Sequence, residues 1–235
     1  MKTNILRFVA AVLVAGSLFA CQKQIASDAE QTTASTNSSL TTSSTLVFAP
    51  SCGMLRTQTQ GGWGAKPAGN NPGTYLHAHF NATFSGGLTL GCYPNNYYIR
   101  LTSAQAVTDL LPVGGTPSAL KANATDPVTL KNVLVGQLVA LKLSVSFDAA
   151  DANFGQSSVA LGNMIIGSGT FKGLTVAQFL AQAEAVLGGC SKAYTPQQLN
   201  ETATLINQSF DDGTTNSGFL LCPGDGDGGG SDIPA

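Results

Sequence analysis

Four cysteines, Cys52, Cys92, Cys190 and Cys222, are strung across the foldable part of this chain, and their pairing limits every architecture open to it. Whether they pair depends on the compartment, and the N-terminus speaks to that. Lys2 and Arg7 form a short positive region, an apolar run from Phe8 to Ala20 follows, and a small residue precedes Cys21. This is the layout of a secretory signal peptide over residues 1–20. The run is too short to span a bilayer, which takes about 20 apolar residues. An exported chain meets an oxidising environment, where four cysteines read as two disulfides with three available connectivities. Zinc is disfavoured, because no C-x-x-C occurs and the four are dispersed. The arrangement favours Cys52 with Cys222, clipping the domain's ends together, and Cys92 with Cys190. The local alternative pairs Cys52 with Cys92 and Cys190 with Cys222.

Leu18-Phe19-Ala20-Cys21 resembles a bacterial lipobox, in which the cysteine is acylated and becomes the new N-terminus. The expectation is an envelope protein held by lipid at Cys21, an outer-membrane lipoprotein that is periplasmic or surface-exposed. Gln22-Lys23-Gln24 follow the cysteine, and Asp28 and Glu30 come late, so the residues leave both faces open. Residues 21–50 read as a tether: half of Gln22 to Thr45 is Ser or Thr, too polar to offset its ordering entropy. Residues 51–223 form the single globular domain, and residues 224–235 a Gly- and Asp-rich flexible tail. Asp225 and Asp227 in that tail lack the further spaced oxygens and closing Glu of a calcium loop.

Charged residues are 10% of the chain, against about 25% for an average globular protein. The polar surface must therefore come from Ser, Thr, Asn, Gln and Gly. A formal net charge of −2 and the lack of a basic cluster give no footprint for nucleic acid or for anionic lipid headgroups.

Helix starts recur in one form. Thr102, Thr175 and Thr195 each have a Gln three residues later, the capping box that satisfies orphan backbone donors. Leu174 and Phe179, and Tyr194 and Leu199, are placed as hydrophobic staples, and Pro196 sits where its missing N–H costs nothing. The helix from Thr175 carries Val176, Phe179, Leu180, Ala183 and Leu187 on one side and stops at Gly188-Gly189. The helix from Thr195 carries Leu199, Ala203 and Ile206 and stops at Asp211-Asp212-Gly213. Asp126-Pro127 looks like another cap, followed by Leu130, Leu134, Leu138, Leu141 and Val145. That helix is apolar nearly all round and should be the most buried. Its valines leave Leu141 to Phe147 open to a strand reading. Thr74 to Phe84 reads as a helix after Asn71-Pro72-Gly73. Leu88-Thr89-Leu90 and Tyr97 to Leu101 alternate like strands around the turn Pro94-Asn95-Asn96. The expected fold class is mainly α: a helical domain with a small β-hairpin, stapled by disulfides.

Thr59-Gln60-Gly61-Gly62-Trp63-Gly64 opens the domain. Gly69 to Gly73, Leu88-Thr89-Leu90-Gly91, Leu101 to Gln105 and Gly136 to Leu143 follow in order. Over roughly Thr57 to Pro223 this resembles a T-Q-G-x-W module of secreted and surface proteins of Bacteroidetes and other bacteria, with Ser144 standing where that module has Asn. The resemblance implies location and fold. It carries no established enzymatic activity.

Chemistry-bearing patterns are sparse. His77 and His79 are the only histidines. On a strand, residues two apart share a face and could share a metal, but on the helix read here they point about 200° from each other and cannot. No H-E-x-x-H is present, and the expectation is two ordinary histidines with no metal and no cofactor. There is no G-x-S-x-G nucleophile elbow and no phosphate loop, and the cysteines are expected to be paired rather than nucleophilic. Paired carboxylates for glycoside hydrolysis are a spatial property that the linear order does not reveal. Trp63, flanked by glycines, is either a core anchor or a stacking platform for a sugar or peptide, with Tyr75, Tyr93, Tyr97 and Tyr98 nearby in sequence and Tyr97 and Tyr98 as companion stacking candidates.

The expected function is a lipid-anchored, non-enzymatic adhesion or binding module for an extracellular polymer or protein ligand, with no catalytic residues. The alternative is a secreted hydrolase acting on envelope or extracellular carbohydrate.

Overall fold

The computed structural model describes residues 52–224. The signal peptide, Cys21, the tether and the acidic tail with Asp225 and Asp227 lie outside the described residues.

Six α-helices are joined by short strands. Helix α1 (Gln60–Trp63) is capped by Thr59, whose side chain accepts the Gly62 N–H. Helix α2 (Pro72–Thr83) is present as expected but starts earlier than Thr74, capped by Asn71 with a proline in its first turn. Helices α5 (Val176–Leu187) and α6 (Pro196–Asn207) both start on complete Thr–Gln capping boxes, at Thr175–Gln178 and Thr195–Gln198. Each buries the apolar stripe read from its sequence. Helix α6 ends at Asn207, a turn before Asp211.

Two caps differ from the sequence reading, for one shared reason. Helix α3 (Ala104–Leu110) is capped by Ser103, not Thr102. The long helix α4 (Val133–Ala150) starts at Asn132, not Asp126. The Asp126 carboxylate instead accepts the Thr102 N–H at 2.7 Å and the Thr102 hydroxyl at 2.6 Å. Two side chains that each suit a cap have satisfied one another across 24 residues.

Helix α4 is the core. Among the described residues it is the one helix long and apolar enough to cross a membrane, yet Leu134, Leu138, Leu141, Leu143 and Phe147 are buried within the fold. It packs against α6, α5, α1 and α2, and it remains helical through Leu141 to Phe147. Gly136 lets α1 approach: a Cβ there would collide with the Gln60 side-chain oxygen, which is held by the Val113 N–H at 2.9 Å.

The hairpin of β2 (Leu88–Gly91) and β3 (Tyr98–Leu101) is present, antiparallel, with Leu90 opposite Ile99. It is not the whole β content. A parallel strand β4 (Ala124–Thr125) adds to β3. Strand β1 (Gly53–Met54) pairs with β5 (Gln156–Ser157), and β6 (Ile165–Ile166) with β7 (Leu220–Leu221). The structure is 39% helix and 12% strand with mixed sheets, which corrects the expected mainly α class to α/β. The missed strands are two residues long, too short for any period-2 pattern, and their partners lie far away in sequence.

Two disulfides staple these elements: Cys52–Cys222, with Cα atoms 5.9 Å apart, and Cys92–Cys190, at 6.3 Å. The first ties β1 to the end of β7. The second ties the hairpin to the end of α5, where a Cβ on Gly188 would strike the Cys92 backbone.

Candidate ligand cleft

Arg56 leaves the β1 strand at the point where α2 and the end of α4 converge, and it lines two adjoining depressions. One, of about 350 Å³, is walled by the start of α2: Asn70, Asn71, Thr74, Tyr75 and His79. The other, of about 260 Å³, lies between Met54, Phe154, Gln156 and Asp212. The wall exists because Asn71 fixes where α2 begins, its side-chain oxygen accepting the Thr74 N–H at 2.9 Å. Tyr75 and His79, one helical turn apart, then stack with ring centres 4.0 Å apart.

Each charged group here has an assigned partner. Arg56 sits over the Phe154 ring at 5.8 Å and donates to Asp212 at 2.8 Å. Gln58 donates to the same Asp212 oxygen at 2.8 Å. The Arg56 hydrogen bond holds the Asp212 carboxyl below its ordinary value, against a smaller opposing effect of burial. The Tyr75 hydroxyl donates to Asp151 at 2.7 Å, and the Asn153 N–H donates to the other Asp151 oxygen at 2.9 Å. The Tyr75 bond, followed by Asn153, lowers the Asp151 pKa. Burial first, and then the Asp151 bond, push the Tyr75 phenol well above its ordinary value. Near neutral pH the Asp212 carboxylate of the cleft is therefore ionised and the Tyr75 phenol protonated; Asp151, which bonds Tyr75 but lines neither depression, is ionised too. Asp151 keeps lone pairs to spare, the His79 ring nitrogens make no hydrogen bond among the described residues, and Arg56 has donors beyond the one facing Asp212.

Of the residues singled out from sequence, Tyr75 and His79 line the cleft, and Trp63, Tyr97, Tyr98 and His77 fall elsewhere. Trp63 is fully buried, so the core-anchor reading holds and its ring is closed to a ligand. It packs on Phe147 at 5.3 Å and Phe154 at 6.0 Å, and its Nε1–H donates to Ser144 Oγ at 3.3 Å. Tyr97, 39% exposed, and Tyr98 lie at the hairpin, where Tyr98 meets Tyr93 edge-on at 5.0 Å. No ring contact joins them to Trp63 among the described residues. His77 points to Thr108 on α3, 3.0 Å away, while His79 turns to the cleft. No group of three or more metal-ligating side chains occurs among the described residues.

Sequence reasoning missed Arg56, Asp151 and Asp212. Arg56 and Asp212 stand 156 positions apart, and only the α4 terminus and the chain's return after α6 bring the cleft together. The one available hint was position: Arg56 adjoins the T-Q-G-x-W block, and Asp212 lies in a turn that ends a helix. No family model, curated protein or solved structure matches the chain.

Proposed function

We propose that this is an exported, lipid-anchored envelope protein whose domain binds an extracellular polymer or protein without turning it over, through the cleft at Arg56, Tyr75 and His79. The observation that carries this reading is the make-up of the cleft: among the described residues Asp212 is the one carboxylate lining either depression, and Arg56 and Gln58 both donate to it. Acid–base hydrolysis needs one carboxyl poised to give a proton and another to take one. Here Asp212 and the neighbouring Asp151, which bonds the Tyr75 hydroxyl, are both pushed down, and Tyr75 is pushed up beyond use as a base. Such a set holds hydrogen bonds in place and suits binding. The oxidising compartment that two disulfides require accords with export. The lipobox at Cys21 and the T-Q-G-x-W resemblance support the envelope location.

One observation favours the hydrolase reading. Burial raises the pKa of Asp148, three residues before the ionised Asp151, which is the split that acid and base require. Asp148 Oδ2, however, accepts the Leu161 N–H at 2.6 Å, and neither Asp148 nor Asp151 lines a depression.

The test is co-sedimentation of the full-length Cys21→Ser chain with insoluble envelope and extracellular polymers and capture on immobilised matrix proteins, with product release assayed in parallel. The expected outcome is capture that His79→Ala abolishes, with no product formed. Product release that disappears in Asp148→Asn would replace this reading with the hydrolase. The anchor is tested separately: Cys21→Ser should leave the membrane fraction, since several acyl chains anchor stably where none remain to do so.

A further inference from the structure

We infer that the ligand is a linear, largely uncharged polysaccharide lying across Arg56, with sugar units in the depressions on either side. This rests on the binding reading above and names its ligand class.

Shape is the first argument. The two depressions meet at Arg56, and each alone is at or near the small end of the range for a ligand pocket. A compact ligand would occupy one and leave the other idle, whereas a chain uses both.

Charge is the second argument. Arg56 is balanced by Asp212, and Asp151 is held by the Tyr75 hydroxyl outside the lining of both depressions. A polyanion laid here meets the Asp212 carboxylate, and a polycation meets the guanidinium. A hydroxyl suffers neither conflict, because it donates to a carboxylate and accepts from a guanidinium. Asp212 and Arg56 therefore suit a hydroxyl-bearing ligand, with Asn70 in one depression and Gln156 in the other as uncharged partners.

The third argument separates sugar from protein. Protein partners are held by an aromatic or aliphatic anchor in a desolvated pocket. The Tyr75 ring is already occupied by His79, Phe147 and Phe154, so the cleft offers no such pocket. The half-buried His79 on Tyr75 instead offers a flat surface to the apolar face of a sugar ring.

The experiment is isothermal titration of the full-length Cys21→Ser chain with two-unit and six-unit oligomers of cellulose, chitin, mannan, laminarin and xylan. Polyglutamate and gelatin peptides serve as comparison probes. The expected result is one neutral hexamer that binds at least tenfold more tightly than its dimer. His79→Ala and Gln156→Ala, one from each depression, should each weaken that hexamer at least threefold. Both side chains reach the surface, and unchanged thermal melting of the two variants confirms that the fold is kept. Equal affinity for dimer and hexamer, or hexamer binding indifferent to both substitutions, overturns the inference. Binding of gelatin or polyglutamate that depends on His79, with no oligosaccharide bound, overturns the inference and leaves the binding reading standing. If no probe binds, both fail.

Discussion

Ser144 Oγ has one donor and two acceptor sites, and all are in use. It donates to Ala140 O at 3.1 Å and accepts from the Trp63 indole and the Gln58 N–H, each at 3.3 Å. Ser144→Ala leaves two buried donors stranded, at about 1–3 kcal/mol each before relaxation. Urea unfolding should show a loss of about 2 kcal/mol or more, and an unchanged midpoint would show that water replaces the hydroxyl. Gly136→Ala forces a methyl against the Gln60 oxygen, which cannot swing away without releasing Val113. The expected cost is about 1–3 kcal/mol by overpacking, against the gain of a few tenths to 1 kcal/mol that Gly→Ala brings in an unobstructed helix. These two positions give the T-Q-G-x-W block a physical meaning: Thr59 caps, Gln60 bridges to Val113, and Trp63 fills the core, so the block builds the fold. Asp212 gives a pH prediction. Its folded pKa is depressed below 3.8, so its contribution is present above that value and is lost as pH falls through the folded value. Asp212→Asn should melt lower than the parent at neutral pH, and the two melting curves should converge in acid. Because the Asp212 side chain is 55% exposed, the difference should also shrink in high salt.

Between elements, Lys142 on α4 meets Glu184 on α5 at 2.6 Å, with side-chain exposures of 25% and 19%. Burial raises the Glu184 pKa above 4.5 more than Lys142 lowers it. The sign follows: the Glu184 contribution is present below its ordinary value and is lost as pH rises through the raised one. At neutral pH the pair is thus held at some cost, and a hydrophobic pair of like size should do as well or better. Lys142→Met alone strands the carboxylate and should cost about 1–2 kcal/mol, less than a fully buried pair because both ends reach solvent. Adding Glu184→Leu should recover that loss or exceed it. Calorimetric melting of the two single variants and the double variant measures the cycle, and a double variant less stable than either single would refute it. At this scale the sequence was legible where a local rule governs. The boxes at Thr175 and Thr195 close within four residues, so composition and order sufficed. Thr102 and Asp126 look the same in one dimension, and their partnership with each other was invisible there.

For the whole molecule, the Cys52–Cys222 bond spans 170 positions and Cys92–Cys190 spans 98. In the chain-entropy model each is worth roughly 4–5 kcal/mol, comparable to the stability of a typical domain, although measured values often fall lower. Reduction should drop the melting temperature steeply, and non-reducing peptide mapping should recover those two linked peptides. Linked peptides joining Cys52 to Cys92 would contradict the structure. The candidate cleft was the least legible part. Trp63, Tyr97 and Tyr98 drew notice by residue type, but one fills the core and two sit on the hairpin. Arg56, Asp151 and Asp212 are ordinary residues made a site by convergence. What the sequence determined by itself was whatever rests on near neighbours along the chain or on counting: capped helices, an apolar central helix, a hairpin, and cysteines fit to pair. Only the tertiary structure decided the two-residue ladders, the α/β class and the cleft. Each of these depends on which distant backbone edges and side chains meet, and that is set by how the helices pack around α4.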